Sequence, residues 1–565
     1  MTDILRKHAA VILCCVGLIM CTALYLACSR GLTETLEAES AEIAREFLEG
    51  APLLINHLNG QEDFDKPPLF YWTIALFAGI SPSWELAARL PSMLSAALVI
   101  FLFCRLALFL NSRMLFAVSC LVFITSPKVF WMCQIARMDM SFTAACFAAV
   151  CAFHQFFERE KKKGEDKRAR PGIPWTFFIA ASTAVMLKGP VGAILTFTPV
   201  MLFLAMEGER RLLKHVFLGR GMLLFLFLAA PWFAAASIET DLRFFHRFIL
   251  EENLSRFTSL IPGGTYKEFN YSPLYTYPVY FLTGLLPWSL AAPFWLFDTV
   301  KNWEERDDIS RLFFIYIVFV FVFFSLALSK RSDYILPVYP AVSFLTARYL
   351  LSGNELTRIR FISLFMFTIA ATLGAALSAG AICLGYPDCA QALSIFSRAG
   401  RSEAALYFLR KAPLFLPGFL LLFFTGLSGL YFCLKDRKRP DRILSSYALH
   451  VSIIFLLAGA VFIPAIYRQK DVRKFCINIS RIVNDKPLFY YGFWDEECTF
   501  YLKRRIVRLS RREFEKLMNK DERIFLILRK REFEKLKSEQ PPLAFVYKKD
   551  SPLLRPLLLV SNQPQ

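Results

Sequence analysis

The sequence predicts an all-α polytopic membrane protein of about thirteen transmembrane helices that ends in a small C-terminal α/β domain. Three observations predict it: recurrent apolar runs, basic loops in step with them, and a change of sequence texture near residue 467. Of 565 residues, 56% are hydrophobic and 15% aromatic, with 58 Phe and a mean hydropathy of +0.43. Soluble globular chains are about 45–50% apolar, so the excess points to lipid. A run of about 20 apolar residues is long enough to cross a hydrocarbon core of roughly 30 Å.

Thirteen such runs fall at 9–28, 88–108, 114–127, 140–157, 174–187, 190–206, 217–237, 276–298, 311–329, 334–350, 360–385, 413–434 and 444–466. The first follows Arg6 and Lys7 and has only the weak Ala27-Cys28-Ser29 as a cleavage site. It therefore reads as a retained span with its N-terminus inside, not as a signal peptide. The inner loops then include Arg159-Glu160-Lys161-Lys162-Lys163 through Arg170, Glu209-Arg210-Arg211 with Lys214, and Lys435-Asp436-Arg437-Lys438-Arg439 with Arg442. All three fall on one side, as the positive-inside bias requires. An odd number of spans puts the C-terminus outside. The N-terminus is thus expected on the cytoplasmic side and the C-terminal domain on the outer face of the membrane.

The formal net charge is +19, and the last hundred residues hold 23 Lys+Arg against 13 Asp+Glu, or +10. Inner-loop bias and a tail facing anionic lipid phosphates account for this charge, so nucleic acid is not an expected partner. Nine of fourteen Cys precede residue 152, mostly within apolar runs, where Cys behaves as a small hydrophobe. Cys383 with Cys389, or Cys476 with Cys498, would be disulfide candidates in an oxidising compartment. No CxxC pattern occurs, and six scattered His give no ordinary zinc motif.

Residues 1–466 are expected to form the membrane domain, with a first outer loop at 29–87, and 467–565 the outer α/β domain. The first loop far exceeds the usual connector of about 4–6 residues. Within it Glu37 to Leu48 reads as an amphipathic helix, with Ala41, Ala44, Phe47 and Leu48 on one face and Gly50 as its stop. That helix is expected to lie along the membrane surface. The tail alternates β-like runs (Pro487–Phe493, Ile506–Leu509, Ile524–Leu528, Leu543–Tyr547, Leu557–Val560) with short charged helices. Arg512-Glu513-Phe514-Glu515-Lys516-Leu517 recurs as Arg531-Glu532-Phe533-Glu534-Lys535-Leu536, as a strand–helix unit used twice would.

Charges beside apolar spans are costly and mark functional sites. On the outer side they cluster: Glu34, Glu37 and Glu42; Asp63, Asp65 and Lys66; Arg137 and Asp139; Lys188; Lys330, Arg331 and Asp333. Glycosyl transfer from a phosphate-linked donor needs cations where charge builds on the leaving phosphate. Lys66, Arg137, Lys188, Lys330 and Arg331 can supply them. A carboxylate to take a proton or steady an oxocarbenium-like centre can come from Glu37, Asp65 or Asp139. The competing account of each residue is an interfacial anchor in a local salt bridge.

Several strings, in order over residues 30–345, carry a resemblance. They are Ala41-Glu42-Ile43-Ala44-Arg45-Glu46-Phe47-Leu48, Leu58-Asn59-Gly60, Phe64-Asp65-Lys66-Pro67-Pro68-Leu69-Phe70-Tyr71-Trp72, and Glu85 with Ala88-Arg89-Leu90-Pro91. Ala136-Arg137-Met138-Asp139-Met140, Lys188-Gly189-Pro190-Val191 and Glu252-Asn253-Leu254-Ser255-Arg256-Phe257 follow. Gly284-Leu285-Leu286-Pro287-Trp288 and Ser329-Lys330-Arg331 with Tyr334, Pro337 and Pro340 complete the set, and Phe500-Tyr501-Leu502 in the tail fits as well. Together they resemble the bacterial polyprenyl-phosphate-sugar glycosyltransferases, the lipid A aminoarabinose transferases and protein O-mannosyltransferase relatives of the GT-C superfamily. The resemblance implies a GT-C fold, a polyprenyl-phosphate sugar donor held by Lys66, Arg137, Lys188 and Lys330, and a lipid or protein acceptor at the outer face.

Two departures qualify what it implies. The family's first loop opens with an Asp-Glu pair, and here those positions are Leu36 and Glu37, followed by Glu39-Ser40 where Arg-Tyr is usual. Loss of the Asp favours an acceptor that is already ionised, a lipid A-like phosphate, over a protein Ser/Thr hydroxyl. Some relatives bind a divalent metal through a carboxylate at the position of Asp65 and an outer-loop His. Asp65 is the one matching metal ligand here, because 251–275 contains no His. A polytopic lipid transporter is the alternative of another class, but no internal symmetry of inverted repeats is visible.

Overall fold

The computed structural model describes residues 2–163, 171–254, 273–328, 330–352, 355–384, 416–435, 440–459, 463–518, 522–539, 544–549 and 557–563. Cys389, the inner-loop residues 164–170, Asp436–Arg439, Ser255-Arg256-Phe257, Ser329 and Leu543 lie outside these residues.

The chain opens with α1 (Thr2–Ser29) and α2 (Thr35–Leu48), then a hairpin of β1 (Asn56–Leu58) and β2 (Gln61–Asp63), then α3 (Leu69–Ala78). Helices α4 (Trp84–Phe109), α5 (Arg113–Ile124), α6 (Pro127–Met132), α7 (Met138–Lys162), α8 (Trp175–Lys188) and α9 (Pro190–Met206) follow. Next come α10 (Arg210–Leu218), α11 (Arg220–Glu239), α12 (Arg243–Phe245) with a π-helical turn at His246–Asn253, α13 (Thr276–Gly284) and α14 (Ala292–Lys301). The bundle ends with α15 (Asp308–Ser325), α16 (Tyr339–Leu350), α17 (Glu355–Leu384), α18 (Leu416–Lys435), α19 (Pro440–Leu457) and α20 (Ile463–Lys470).

Among the described residues seven helices are long and apolar enough to cross a membrane, or eight if the bent pair α13 and α14 is one span. Each of the thirteen expected runs meets a helix, but not always as a straight rod. The run at 276–298 is bent by 118° between Gly284 and Trp288, where Pro287 interrupts the helical hydrogen bonding. The runs at 114–127, 174–187, 190–206 and 444–466 contain helices of 10–17 residues.

Helix α7 shows how the membrane orders the charges. Asp139 in its first turn pairs with Lys188, and Lys161 in its last pairs with Asp308 at 2.6 Å. The 22 residue steps from Asp139 to Lys161 rise about 33 Å at 1.5 Å per residue, close to the thickness of a hydrocarbon core. From Met140 to Phe153 the helix is apolar or small and mostly buried, with Phe147, Val150 and Phe153 fully buried. By contrast α11 leaves Leu223 and Phe227 exposed, as a lipid-facing helix does. Bundle packing is dominated by Phe: Phe153, Phe157 and Phe203 meet edge-on or tilted with centroids 5.1–6.3 Å apart.

The tail adds α21 (Arg473–Val483), β3 (Leu488–Tyr491), α22 (Glu496–Leu502), β4 (Val507–Leu509), α23 (Arg511–Met518), β5 (Phe525–Arg529), α24 (Lys530–Glu539), β6 (Ala544–Lys549) and β7 (Leu557–Ser561). Its sheet has the order β4-β3-β5-β7-β6. The first three strands are parallel and the last two antiparallel. Each copy of the repeated hexapeptide forms the helix after a strand, α23 after β4 and α24 after β5, so the sequence echo marks a structural one. Cys476 and Cys498 are buried thiols in the core of this region.

The tail is clamped onto the first loop. The Tyr501 hydroxyl accepts from the Leu32 N–H (2.8 Å) and donates to Glu85 (3.1 Å). Asn59 both donates to and accepts from the backbone of Ile506, at 3.0 and 3.2 Å. Asn59 and Gly60 form the two-residue hairpin turn, with φ of 55° and 76°, the left-handed pair that tight hairpins demand. Arg505 packs so closely there that a Cβ on Gly60 would fall 2.6 Å from its guanidinium. Helix α2 is correspondingly enclosed between α3 and α22, with Glu37, Glu42, Arg45 and Glu46 all buried. It does not lie on a membrane surface, because the tail covers the face that would otherwise meet lipid.

Candidate active site

A cavity of about 310 Å³ opens where α2, the segment after β2, the start of α7, the end of α8 and the end of α15 converge. Four of the five expected cations line it: Lys66, Arg137, Lys188 and Arg331. They come from four separate parts of the chain, and the alternation of helix directions brings them to one face. Arg137 caps the start of α7, Lys188 ends α8, and Arg331 follows α15.

Two carboxylates organise these cations. Asp139 accepts from Lys188 Nζ at 2.5 Å and faces Arg137 Nε at 3.2 Å. As an acidic group in the first turn of α7 it also meets the positive end of the helix dipole. Asp333 pairs with Arg137 at 2.6 Å, with Arg331 at 3.7 Å and with Lys128. Burial alone would raise the Asp333 carboxyl, but Arg137 and Lys128 pull it down to about 2. Lys188 also sits over the Tyr334 and Phe142 rings, at 5.6 and 4.9 Å from their centroids.

The turn after Lys188 is sharp. Gly189 has φ 77° and packs under the Phe248 ring, where a Cβ would fall 2.4 Å from the nearest carbon. Alanine there meets both an unfavourable φ and a clash. A Gly189→Ala protein is expected to lose at least about 1–2 kcal/mol of stability, read as a lower midpoint in detergent thermal unfolding; an unchanged midpoint would contradict the packing described.

On the other wall, Asp65 and Lys66 follow the hairpin directly. Asn56 Nδ2 donates to the Lys66 carbonyl at 2.7 Å and fixes that segment. Asp65 and Asp139 both line the cavity.

Two expected site residues are elsewhere. Glu37 is fully buried behind the cavity, where Arg89 Nε and Nη2 donate to its two oxygens at 2.8 and 2.9 Å and the Ala136 N–H donates at 2.9 Å. Burial alone would raise its carboxyl, yet Arg89 holds it below the ordinary value. The expectation of Glu37 at the acceptor site is therefore corrected: the helix is rotated so that Glu37 faces Arg89. Lys330 is also turned away, its ammonium donating to the Ala327 carbonyl at 2.9 Å, and it is not a lining residue.

The chain is similar to several known proteins. Residues 65–234, which carry Asp65, Lys66, Arg137, Asp139 and Lys188, match the family described as dolichyl-phosphate-mannose-protein mannosyltransferase. An undecaprenyl phosphate-alpha-4-amino-4-deoxy-L-arabinose arabinosyl transferase of Yersinia enterocolitica is 26% identical over 326 residues, 57% of this chain and 56% of that protein. The chain is similar to the GT-C glycosyltransferases.

An uncharacterized protein of Aquifex aeolicus is 25% identical to this glycosyltransferase over 84% of its length and 83% of the relative's. Its fold matches the crystal structure of ArnT from Cupriavidus metallidurans bound to undecaprenyl phosphate, with TM-score 0.75 and 17% identity, over 98% of this chain and 99% of that one. No group of three His, Cys, Asp or Glu that could hold a metal occurs among the described residues of the transferase. Asp65, the metal ligand that the resemblance implies, belongs to no such group among the described residues.

The cavity also holds two carboxyl groups that sequence reasoning gave no role, Glu39 and Glu252. Glu39 was legible in principle. It lies three residues after Leu36 and beside Ser40, and all three line the cavity as one stripe of α2. Burial, then Asp63, Asp65 and Glu496, push the Glu39 carboxyl up to about 8 against the pull of Lys66.

Proposed function

We propose that the protein transfers a sugar from a polyprenyl-phosphate carrier to the phosphate of a lipid A-like acceptor, at the periplasmic face of a bacterial inner membrane. The observation that carries this reading is the set of four cations, Lys66, Arg137, Lys188 and Arg331, around one cavity at the end of the helix bundle. The names of the relatives, arabinosyl transferases using an undecaprenyl-phosphate sugar, supply the class of donor.

In this reading the donor phosphate sits among those cations. As the bond from the sugar's anomeric carbon to the carrier oxygen breaks, charge grows on the phosphate, and prepositioned cations stabilise it more in the transition state than before. Asp139 and Asp333 hold Lys188, Arg137 and Arg331 in place, so little reorganisation accompanies the reaction. Asp65, which lines the same cavity, is the carboxylate that in this reading meets the positive charge developing on the sugar. A phosphate acceptor attacks as an ion near neutral pH and gives up no proton, which suits a site whose α2 position 36 is Leu.

The test is mass spectrometry of lipid A and of the glycoproteome from strains with and without the gene. Loss of a sugar from lipid A alone is the expected result. Loss from protein Ser/Thr alone would replace the acceptor, and no change in any glycan would sink the reading.

A further inference from the structure

Helix α2 offers the cavity one carboxyl group, and it is not Glu37. Leu36, Glu39 and Ser40 form the stripe that lines the cavity, while Glu37 is engaged by Arg89 on the far side. The Glu39 carboxyl makes no hydrogen bond or ion pair with any described residue, whereas Asp139 is paired twice. The charged and titratable groups facing Glu39 come from four directions. Asp63 belongs to β2, Asp65 and Lys66 to the segment after it, Tyr71 to α3 and Glu496 to α22. Around the cavity four cations (Lys66, Arg137, Lys188, Arg331) meet four carboxyl groups (Glu39, Asp65, Asp139, Glu252). A phosphate entering such a balanced site would tip it negative if every carboxyl were ionised.

We propose that Glu39 is a catalytic residue of the transfer that works as an uncharged carboxylic acid, its O–H donating a hydrogen bond to the carrier phosphate as that phosphate departs. The proposal rests on the donor class inferred above. Its chemistry balances without a co-reactant. The bond from the anomeric carbon to the carrier oxygen breaks with its electron pair on that oxygen, and an acceptor phosphate oxygen forms the new bond. The proton stays shared between Glu39 and the departing phosphate. Surrounded by Asp63, Asp65 and Glu496, the group keeps its proton up to about pH 8, and an acid held neutral in this way can donate where an ionised one would repel.

The experiment measures binding of undecaprenyl phosphate, the departing group itself, to the purified full chain between pH 7 and 9. Its phosphate is already mostly doubly ionised in this range, since its second ionisation lies near about 6. The wild type is expected to lose about tenfold in affinity as pH rises through Glu39 ionisation, one charge-assisted hydrogen bond exchanged for repulsion. Glu39→Gln keeps a donor but no proton to lose, so it is expected to bind within about threefold of wild type at pH 7 and to lose the pH dependence. Glu39→Ala should bind about tenfold more weakly at pH 7. Affinity that falls with pH equally in Glu39→Gln, or wild-type affinity in Glu39→Ala, would overturn the role of Glu39. A wild type that does not bind undecaprenyl phosphate at all would instead overturn the donor class, so the two failures are separable.

Discussion

Replacing Lys66 with alanine is expected to cut sugar transfer by about 10²–10³-fold, the loss seen when one charge-stabilising donor is taken from a transition state. Lys66 is the informative cation because it stands outside the Asp139 and Asp333 pairs. Arg137 and Lys188 are partners of Asp139 and Asp333, so their removal would disturb buried carboxylates as well as any ligand. Lys66 is bonded locally, its ammonium to the Asp65 carbonyl at 2.7 Å and its own carbonyl to Asn56. The variant is expected to accumulate in the membrane while turnover collapses. Arginine at the same place should restore part of the rate. Wild-type turnover in Lys66→Ala would remove the phosphate from this wall of the cavity.

The largest structural effect is expected at Arg89, which is fully buried and uses all five of its donors. Besides the two bonds to Glu37, its guanidinium donates to the carbonyls of Ala27 (2.8 Å), Arg30 (2.9 Å) and Gly31 (2.7 Å). It thereby ties α4 to the end of α1 and the start of α2. Arg89→Ala strands a buried carboxylate and three carbonyls, a change that costs about 3–5 kcal/mol when one partner of a buried pair is lost. The protein is expected to accumulate poorly and to elute as aggregate in detergent gel filtration. Glu37→Gln, which keeps the acceptor for the Ala136 N–H, should be milder, and the fraction that folds should turn over at the wild-type rate. A folded Glu37→Gln protein that cannot turn over would return Glu37 to the reaction.

Sequence reasoning located the functional face because the membrane makes charge conspicuous. Lys188 at the end of an apolar run and Arg137 with Asp139 at the start of another stand out for their cost alone. The tail's strand–helix repeat was legible because the duplicated hexapeptide kept its sequence. Glu37 was misjudged for a definite reason. Whether a residue on a short helix faces a cavity or a partner depends on rotation about the helix axis, and the partner, Arg89, is 52 residues away. Glu39 was overlooked by the same error of phase. The amphipathic pattern of α2 did mark one buried face, but the tail buries the other, and a contact between segments hundreds of residues apart leaves no local period. Lys330 shows the remaining limit, for a cation beside an apolar run can be spent on a backbone carbonyl as readily as on a ligand.

The clip between Asn59 and Ile506 joins positions 447 residues apart in the chain. One end of the hairpin carries Asp65 and Lys66 into the cavity, and the other end is gripped by the tail. Neither segment is a free module for grafting. A chimaera that imports a relative's hairpin must import its tail as well, and drift at one end is tolerated only when the other end drifts to match.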